Sequence, residues 1–129
     1  MVGIVVVSHS EKVAEGVKDL ALQMATNVPI AAAGGTSDGR IGTDIEKIMG
    51  AINEVYSEDG VIVLFDLGSA YMNSDMAVEC LDEGMKEKIE IVDTALVEGA
   101  ISAAVQSSID GTLEEVKETV AEMSLGKIP

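Results

Sequence analysis

Two stretches of this chain contain no polar side chain: VGIVVV at residues 2–7 and VIVLF at residues 61–65. A strand with one wet face alternates apolar and polar residues, so an unbroken β-branched run belongs to a strand covered on both faces. Strands of that kind occur in parallel sheets held between helix layers, because each parallel connection must cross back over a face. Each run is followed by a helical pattern. Val13, Val17, Leu20, Ala21 and Met24 repeat at helical spacing after the first.

The remaining punctuation agrees. Pro29 to Ala33 reads as a second strand, ending in the glycine-rich loop GGTSDGR at residues 34–40. Thr43 and Glu46 have the spacing of a capping box, ahead of Ile45, Ile48, Met49, Ile52 and Val55 on one helix face. After Asp66-Leu67-Gly68-Ser69 a third helix is expected at roughly Asn73 to Glu83, then a weaker strand at Ile89 to Val92. Two further helices follow, marked by Val97, Ala100, Ile101, Ala104 and Val105, and then by Leu113, Val116, Val120 and Met123. Alternation of strand and helix implies an α/β domain with helices on both faces of a mainly parallel sheet. The 129 residues are expected to form one domain, 1–129, with neither an internal repeat nor a linker.

Charge narrows the partners. The net charge of −15 is spread over helix faces, which disfavours nucleic acid and anionic membranes. No apolar run approaches the roughly 20 residues needed to span a bilayer. A basic region ahead of the first apolar run is lacking, so no signal peptide is expected. Cys80 is the sole cysteine and has no internal partner, which suits a reducing cytoplasm.

In an open α/β sheet the site lies beyond the carboxyl ends of the strands. Three loops belong there: Ser8-His9-Ser10, Gly34 to Gly42, and Asp66 to Ala70. They hold the only histidine, the only arginine (Arg40) and an aspartate ending an apolar strand. Several α/β chemistries are absent. There is no G-x-G-x-x-G after the first strand, no Walker loop and no G-x-S-x-G elbow. There are too few aromatic rings for a flavin, too few nitrogen and sulfur ligands for zinc, and no acidic pair for a response-regulator phosphoacceptor.

Nucleophilic histidine chemistry remains. An ordinary imidazole is largely neutral, and nucleophilic, at the pH of a cytoplasm. His9 sits just before a helix, whose first amides and dipole favour a phosphoryl group placed there. Ser8, Ser10, Thr36, Thr43 and Ser69, with the backbone at Gly35, are candidate phosphate-binding groups. Asp66 either caps the helix that follows it or accepts a hydrogen bond from His9, leaving the second ring nitrogen to attack. Such a site needs no bound metal or nucleotide, since positioning does most of the work of phosphoryl transfer.

The segments VVVSHS, AAAGGTSDGRIGTDIEKI, VLFDLGSAYMN and LVEGAISAAVQSS together resemble the phosphotransferase subunit of phosphotransferase-system-dependent dihydroxyacetone kinases, relatives of the mannose-class IIA domains. The resemblance covers nearly the whole chain, with four separated motifs in order. The resemblance implies a three-layer open sheet in the order 2-1-3-4 and a homodimer. It places the phosphoacceptor on His9. The phosphoryl group would come from phosphoenolpyruvate through enzyme I and HPr, and pass to ADP held by the kinase's nucleotide subunit. Some relatives carry further carrier domains behind this one; with Pro129 as the last residue, HPr is expected as a separate chain.

Each residue also has a plainer role. Gly34, Gly35 and Gly42 serve as turn residues with positive φ as readily as phosphate cradles. Arg40, Gly34 and Tyr71 are expected to touch a partner through the loops Gly34–Arg40 and Gly68–Asn73, or, for Arg40, simply to be solvated. Met24, Met49, Met76 and Met123 are expected to fill core space, and Cys80 to be a buried thiol. Met76, Cys80, Ile89 and Ile91 are the expected dimer contacts. Two alternatives stay open: a mannose-class sugar-transporter IIA domain donating to a IIB protein, and a non-catalytic α/β binding module in which His9 only packs.

Overall fold

A computed structural model describes all residues 1–129. Four strands, β1 (Gly3–Ser8), β2 (Ile30–Gly34), β3 (Val61–Phe65) and β4 (Ile89–Val92), form one sheet in the order β2-β1-β3-β4. Every pairing is parallel. The helices are α1 (Glu11–Met24), α2 (Ile45–Val55), α3 (Gly68–Glu79), the single turn α4 (Glu83–Lys86), α5 (Leu96–Ser108) and α6 (Leu113–Ala121).

Successive residues of the apolar strands divide between two cores, which is why the runs tolerate no polar position. Ile4, Val6, Ile62 and Leu64 pack beneath α1, α5 and α6. Val5, Val7, Val61, Val63 and Phe65 pack beneath α2 and α3. All six residues of β1 and all five of β3 are buried, and each buried Val, Ile or Leu stabilises the fold by about 1.5–3 kcal/mol.

The crossovers decide where a site can form. The connection leaving β1 runs through α1 over one face, whereas that leaving β3 runs through α3 over the other. β1 and β3 are neighbours, with Val7 opposite Phe65. A crevice therefore opens between their carboxyl ends, the usual ligand position in a doubly wound sheet. His9 follows β1 and Asp66 follows β3.

Several local expectations are corrected. The N-cap of α2 is Asp44, whose carboxylate accepts from the Glu46 and Lys47 amides, so Thr43 and Glu46 form no capping box. Helix α3 begins five residues earlier than its apolar spacing suggests and ends at Glu79. Its apolar residues do not lie on one face, since Met72 and Met76 are exposed while Ala70, Ser74, Ala77 and Val78 are buried. Cys80, at its C-cap, is exposed rather than buried. Met24 and Met76 are likewise exposed and fill no core. On α1 the buried face is Ala14, Val17 and Ala21, with Val13 and Leu20 in solvent. Small residues on that face let α1 approach the end of β2: a Cβ at Gly34 would meet Ser10 O at 2.6 Å and Glu11 Cα at 2.7 Å.

Candidate functional site

Two strand-to-helix turns face each other across the crevice. Ser8-His9-Ser10 joins β1 to α1, and Ser10 caps α1 by accepting from the Val13 amide at 3.3 Å. Asp66-Leu67 joins β3 to α3. The parallel pairing carries one step past the strands, for the Asp66 amide donates to Val7 O at 3.1 Å. Residues 57 apart in sequence become neighbours.

The Asp66 carboxylate is the hub. Oδ1 accepts from His9 Nδ1 at 2.9 Å and from the Leu67 amide at 2.7 Å. Oδ2 accepts from the Ser8 hydroxyl at 2.8 Å and the His9 amide at 3.0 Å. Burial alone would raise the Asp66 carboxyl. The His9 amide and ring, the Ser8 hydroxyl and the Leu67 amide outweigh it and hold the group below its ordinary value. Asp66 is therefore an anion at neutral pH, and an anion can only accept. The proton on the facing ring nitrogen is thereby fixed at His9 Nδ1, which leaves the Nε2 lone pair free in the neutral ring. Ser69, in the first turn of α3, places its hydroxyl 2.8 Å from that Nε2. The His9 side chain keeps about a fifth of its surface in solvent.

The expected site residues separate into groups. His9, Asp66, Ser8 and Ser69 form one hydrogen-bonded cluster, joined by Ser10 through its amide on Ser8 Oγ at 3.0 Å. Ser8 is fully buried and its hydroxyl is engaged by Asp66 and Ser10, so it braces the site from below instead of facing a phosphate. The glycine loop joins through its backbone. Gly35 N donates to Ser8 O, and Gly42 N donates to His9 O at 2.8 Å. Gly35 takes φ +71 there, a left-handed conformation glycine adopts without strain.

Thr36 and Arg40 are occupied within the loop. The Thr36 hydroxyl bonds to Asp38 and receives the Arg40 amide, while Arg40 Nε pairs with Asp38 at 2.9 Å in solvent. Thr43 accepts from Asn73 Nδ2 at 2.6 Å, tying the loop to α3. Gly34 is buried at the end of β2, and its carbonyl accepts from Lys47 Nζ at 2.9 Å. Tyr71 is half-buried, with its ring 5.8 Å from that of Phe65. Of the expected dimer contacts, Met76 and Cys80 are exposed, Ile91 is half-buried, and Ile89 belongs to the chain's own core.

Two residues escape inspection of the sequence. Lys127 donates from Nζ to the carbonyls of Phe65, Asp66 and Thr94 at 2.8, 3.1 and 2.7 Å. Asp93, almost fully buried, accepts from the Lys127 and Leu125 amides and the Ser124 hydroxyl. One signal existed: VLFD and IEIVD both end a strand with aspartate. No group of three or more His, Cys, Asp or Glu converges as metal ligands would.

The geometry presents one ring nitrogen free of a proton, a carboxylate fixed behind the ring and a hydroxyl in front. Comparison with known proteins finds the same kind of chain. The profile of the mannose-type IIA family, described as the fructose IIA component of the phosphotransferase system, matches residues 3–117. The phosphoryl donor subunit of phosphoenolpyruvate-dependent dihydroxyacetone kinase 2 from Listeria innocua is 39% identical over 117 residues, covering 90% of this chain and 94% of that one. The phosphotransferase subunit of the corresponding kinase of Lactococcus lactis is 38% identical over 125 residues, covering 97% and 98%. The phosphoryl donor subunit of Pantoea ananatis is 41% identical over 120 residues, which is 25% of its length. A crystal structure of a protein of unknown function superposes over the whole of both chains, with a TM-score of 0.85 at 30% identity. By its profile, its fold and its relatives, the chain belongs to the mannose-type IIA family of the phosphotransferase system.

Proposed function

We propose that this chain is a phosphohistidine carrier that takes a phosphoryl group from phospho-HPr on His9 and delivers it to ADP held by the nucleotide subunit of a dihydroxyacetone kinase. The single observation that carries the proposal is the His9 ring, held at Nδ1 by Asp66 with Nε2 turned outward. The relatives named as phosphoryl donor subunits supply the substrate class.

In uptake, the Nε2 lone pair forms a new N–P bond as the donor's P–N bond breaks, and that electron pair returns to the donor. The Nδ1 proton stays on the ring, so the phosphorylated imidazole is cationic and the Asp66 carboxylate lies against it. Ser69 must turn its hydroxyl from Nε2, and can then donate to a phosphoryl oxygen. The first-turn amides of α1 and α3 meet the same rim and favour the anion. In delivery, a β-phosphate oxygen of ADP attacks phosphorus and the N–P bond gives its electrons back to Nε2. The carrier works as a homodimer in the cytoplasm; no helix is long and apolar enough to cross a membrane.

The profile's own description, a fructose IIA component, favours a second reading, in which the acceptor is a sugar-transporter IIB protein. Incubation with phosphoenolpyruvate, enzyme I and HPr, followed by intact mass, should add one acid-labile, base-stable phosphoryl group. Chase with the ADP-loaded kinase subunit or with a IIB protein assigns the acceptor. His9→Ala should fold and gain nothing. Persistent labelling of that variant would overturn the proposal.

A further inference from the structure

Lys127 lies behind the catalytic turn instead of within it. Its Nζ lies over the Phe65 ring, 5.0 Å from the ring centroid. The three ammonium protons meet three carbonyls, those of Phe65, Asp66 and Thr94. These groups close the carboxyl ends of β3 and β4, where a parallel sheet leaves acceptors without strand partners. The residue is itself anchored, because its amide donates to the buried Asp93 carboxylate at 2.7 Å. Its carbonyl fills the space that a Cβ on Gly68 would need, 2.8 Å away. Lys127 thus grips the β3-to-α3 turn on both sides of Asp66.

Burial lowers the pKa of this ammonium, against the opposing pull of Asp93 and Asp66. A tether for the tail alone needs no half-buried cation, since Asp93 already holds the backbone of Leu125 and Lys127 and the Ser124 hydroxyl. Nζ is directed instead at the peptide that carries the Asp66 side chain.

We infer that Lys127 is a positioning residue: by fixing the Phe65–Asp66 backbone it aims the Asp66 carboxylate at His9 Nδ1 and so keeps Nε2 as the unprotonated nitrogen. The inference rests on the assignment of His9 as phosphoacceptor. It concerns a property of the resting protein, however, and that property can be read without any phosphoryl donor.

The test is Lys127→Met, which keeps an unbranched apolar stem of similar length and leaves the backbone contacts to Asp93 in place, but removes the charge and all three donors. Nitrogen-15 spectra of the His9 ring should change from a single Nδ1–H form in the native protein to a mixture of tautomers. Phosphoryl uptake from phospho-HPr should slow about tenfold, as when a residue that orients a reacting ligand is lost. In a Cys80→Ser background, Lys127→Cys alkylated with 2-bromoethylamine regains an ammonium at nearly the same reach. It should restore both the spectrum and the rate. An unchanged tautomer and uptake rate in Lys127→Met, whatever its melting temperature, would overturn the inference and leave Lys127 a tail tether. If Lys127→Met fails to fold, the cysteine variant read before and after alkylation decides on the same criteria. A native protein that takes no phosphoryl group would refute the carrier function, while the ring spectra would still judge Lys127.

Discussion

The two turns that build the site are made in different ways. The β1-to-α1 turn is locally encoded: Ser10 caps the helix from its own side chain, and an amphipathic stretch follows immediately. The β3-to-α3 turn has no such device. Its N-cap is Leu67, exposed and without a side-chain bond, and its helix has no coherent apolar face. Its order comes from a distance, through the Val7 carbonyl, the His9 ring and the Lys127 ammonium. The helix after the His9 turn is capped by a neighbour in sequence, whereas the helix after the Asp66 turn has no side-chain cap and leans on neighbours in space. Loss of the Ser10 cap should therefore appear as lost stability, and loss of the Asp66 carboxylate as lost chemistry.

The largest expected effect is that of Asp66→Asn. An amide nitrogen would face donors it cannot accept from, and the anion that fixes the ring proton would be gone. Phosphoryl uptake should fall on the order of 10³–10⁴-fold with the fold intact, as when the carboxylate that fixes a histidine tautomer becomes an amide; uptake within twofold of native would break the comparison. Next comes a matched pair of substitutions. Gly68→Ala drives a Cβ into the Lys127 carbonyl and should destabilise by about 1–3 kcal/mol. Gly16→Ala, inside α1 where nothing lies within 4 Å, should instead stabilise by about 0.5–1 kcal/mol. Denaturant midpoints of the same sign for both would show that α3 is not braced by the tail.

Ser10→Ala removes the α1 cap, with an expected loss of about 1 kcal/mol and little change in phosphoryl uptake per folded molecule. A larger fall in uptake than in stability would move Ser10 into the chemistry. The smallest effect concerns acid. Burial raises Asp93, but the Lys127 and Leu125 amides and the Ser124 hydroxyl hold it below its ordinary value near 3.8. Asp66 is held down in the same way. A carboxyl depressed in the folded state contributes stability above its unfolded value, and that contribution is lost as pH falls through the folded one. Stability should therefore decline below the ordinary carboxylate range, and Asp93→Asn should flatten that decline. An equally steep acid limb in the variant would place the acid sensitivity elsewhere.

The same division explains what could be read in advance. The strand runs, the presence of α1, α2, α5 and α6 and the place of His9 follow from short-range pattern, although Val13, Leu20, Met24, Val97 and Val105, expected on apolar faces, are exposed. The sheet order 2-1-3-4 implied by the resemblance is the order observed. From the sequence alone, the link between His9 and Asp66 is one of two roles open to that aspartate. The structure has Asp66 serving the Leu67 amide and the His9 ring with the same oxygen. The start of α3 was not legible because Gly68-Ser69 has the composition of a loop, and no cap or apolar face marks a helix there. Lys127 was not legible because a lone lysine in SLGKIP has no periodicity; its meaning exists only once Phe65, Asp66 and Thr94 are adjacent. Thr43 has the pattern of a cap because spacing cannot tell it from Asp44, whose carboxylate takes the role.

The central position of β1 has a consequence for the life of the molecule. His9 follows β1, but its carboxylate partner Asp66 follows β3, 57 residues later. A chain emerging from the ribosome exposes His9 long before β3 exists, and contacts so distant in sequence are slow to form. Until β3 docks, the ring is an ordinary surface imidazole, free to exchange its proton between both nitrogens. Maturation thus works as a licence: only a copy whose central strands have zipped together offers a nitrogen of fixed identity.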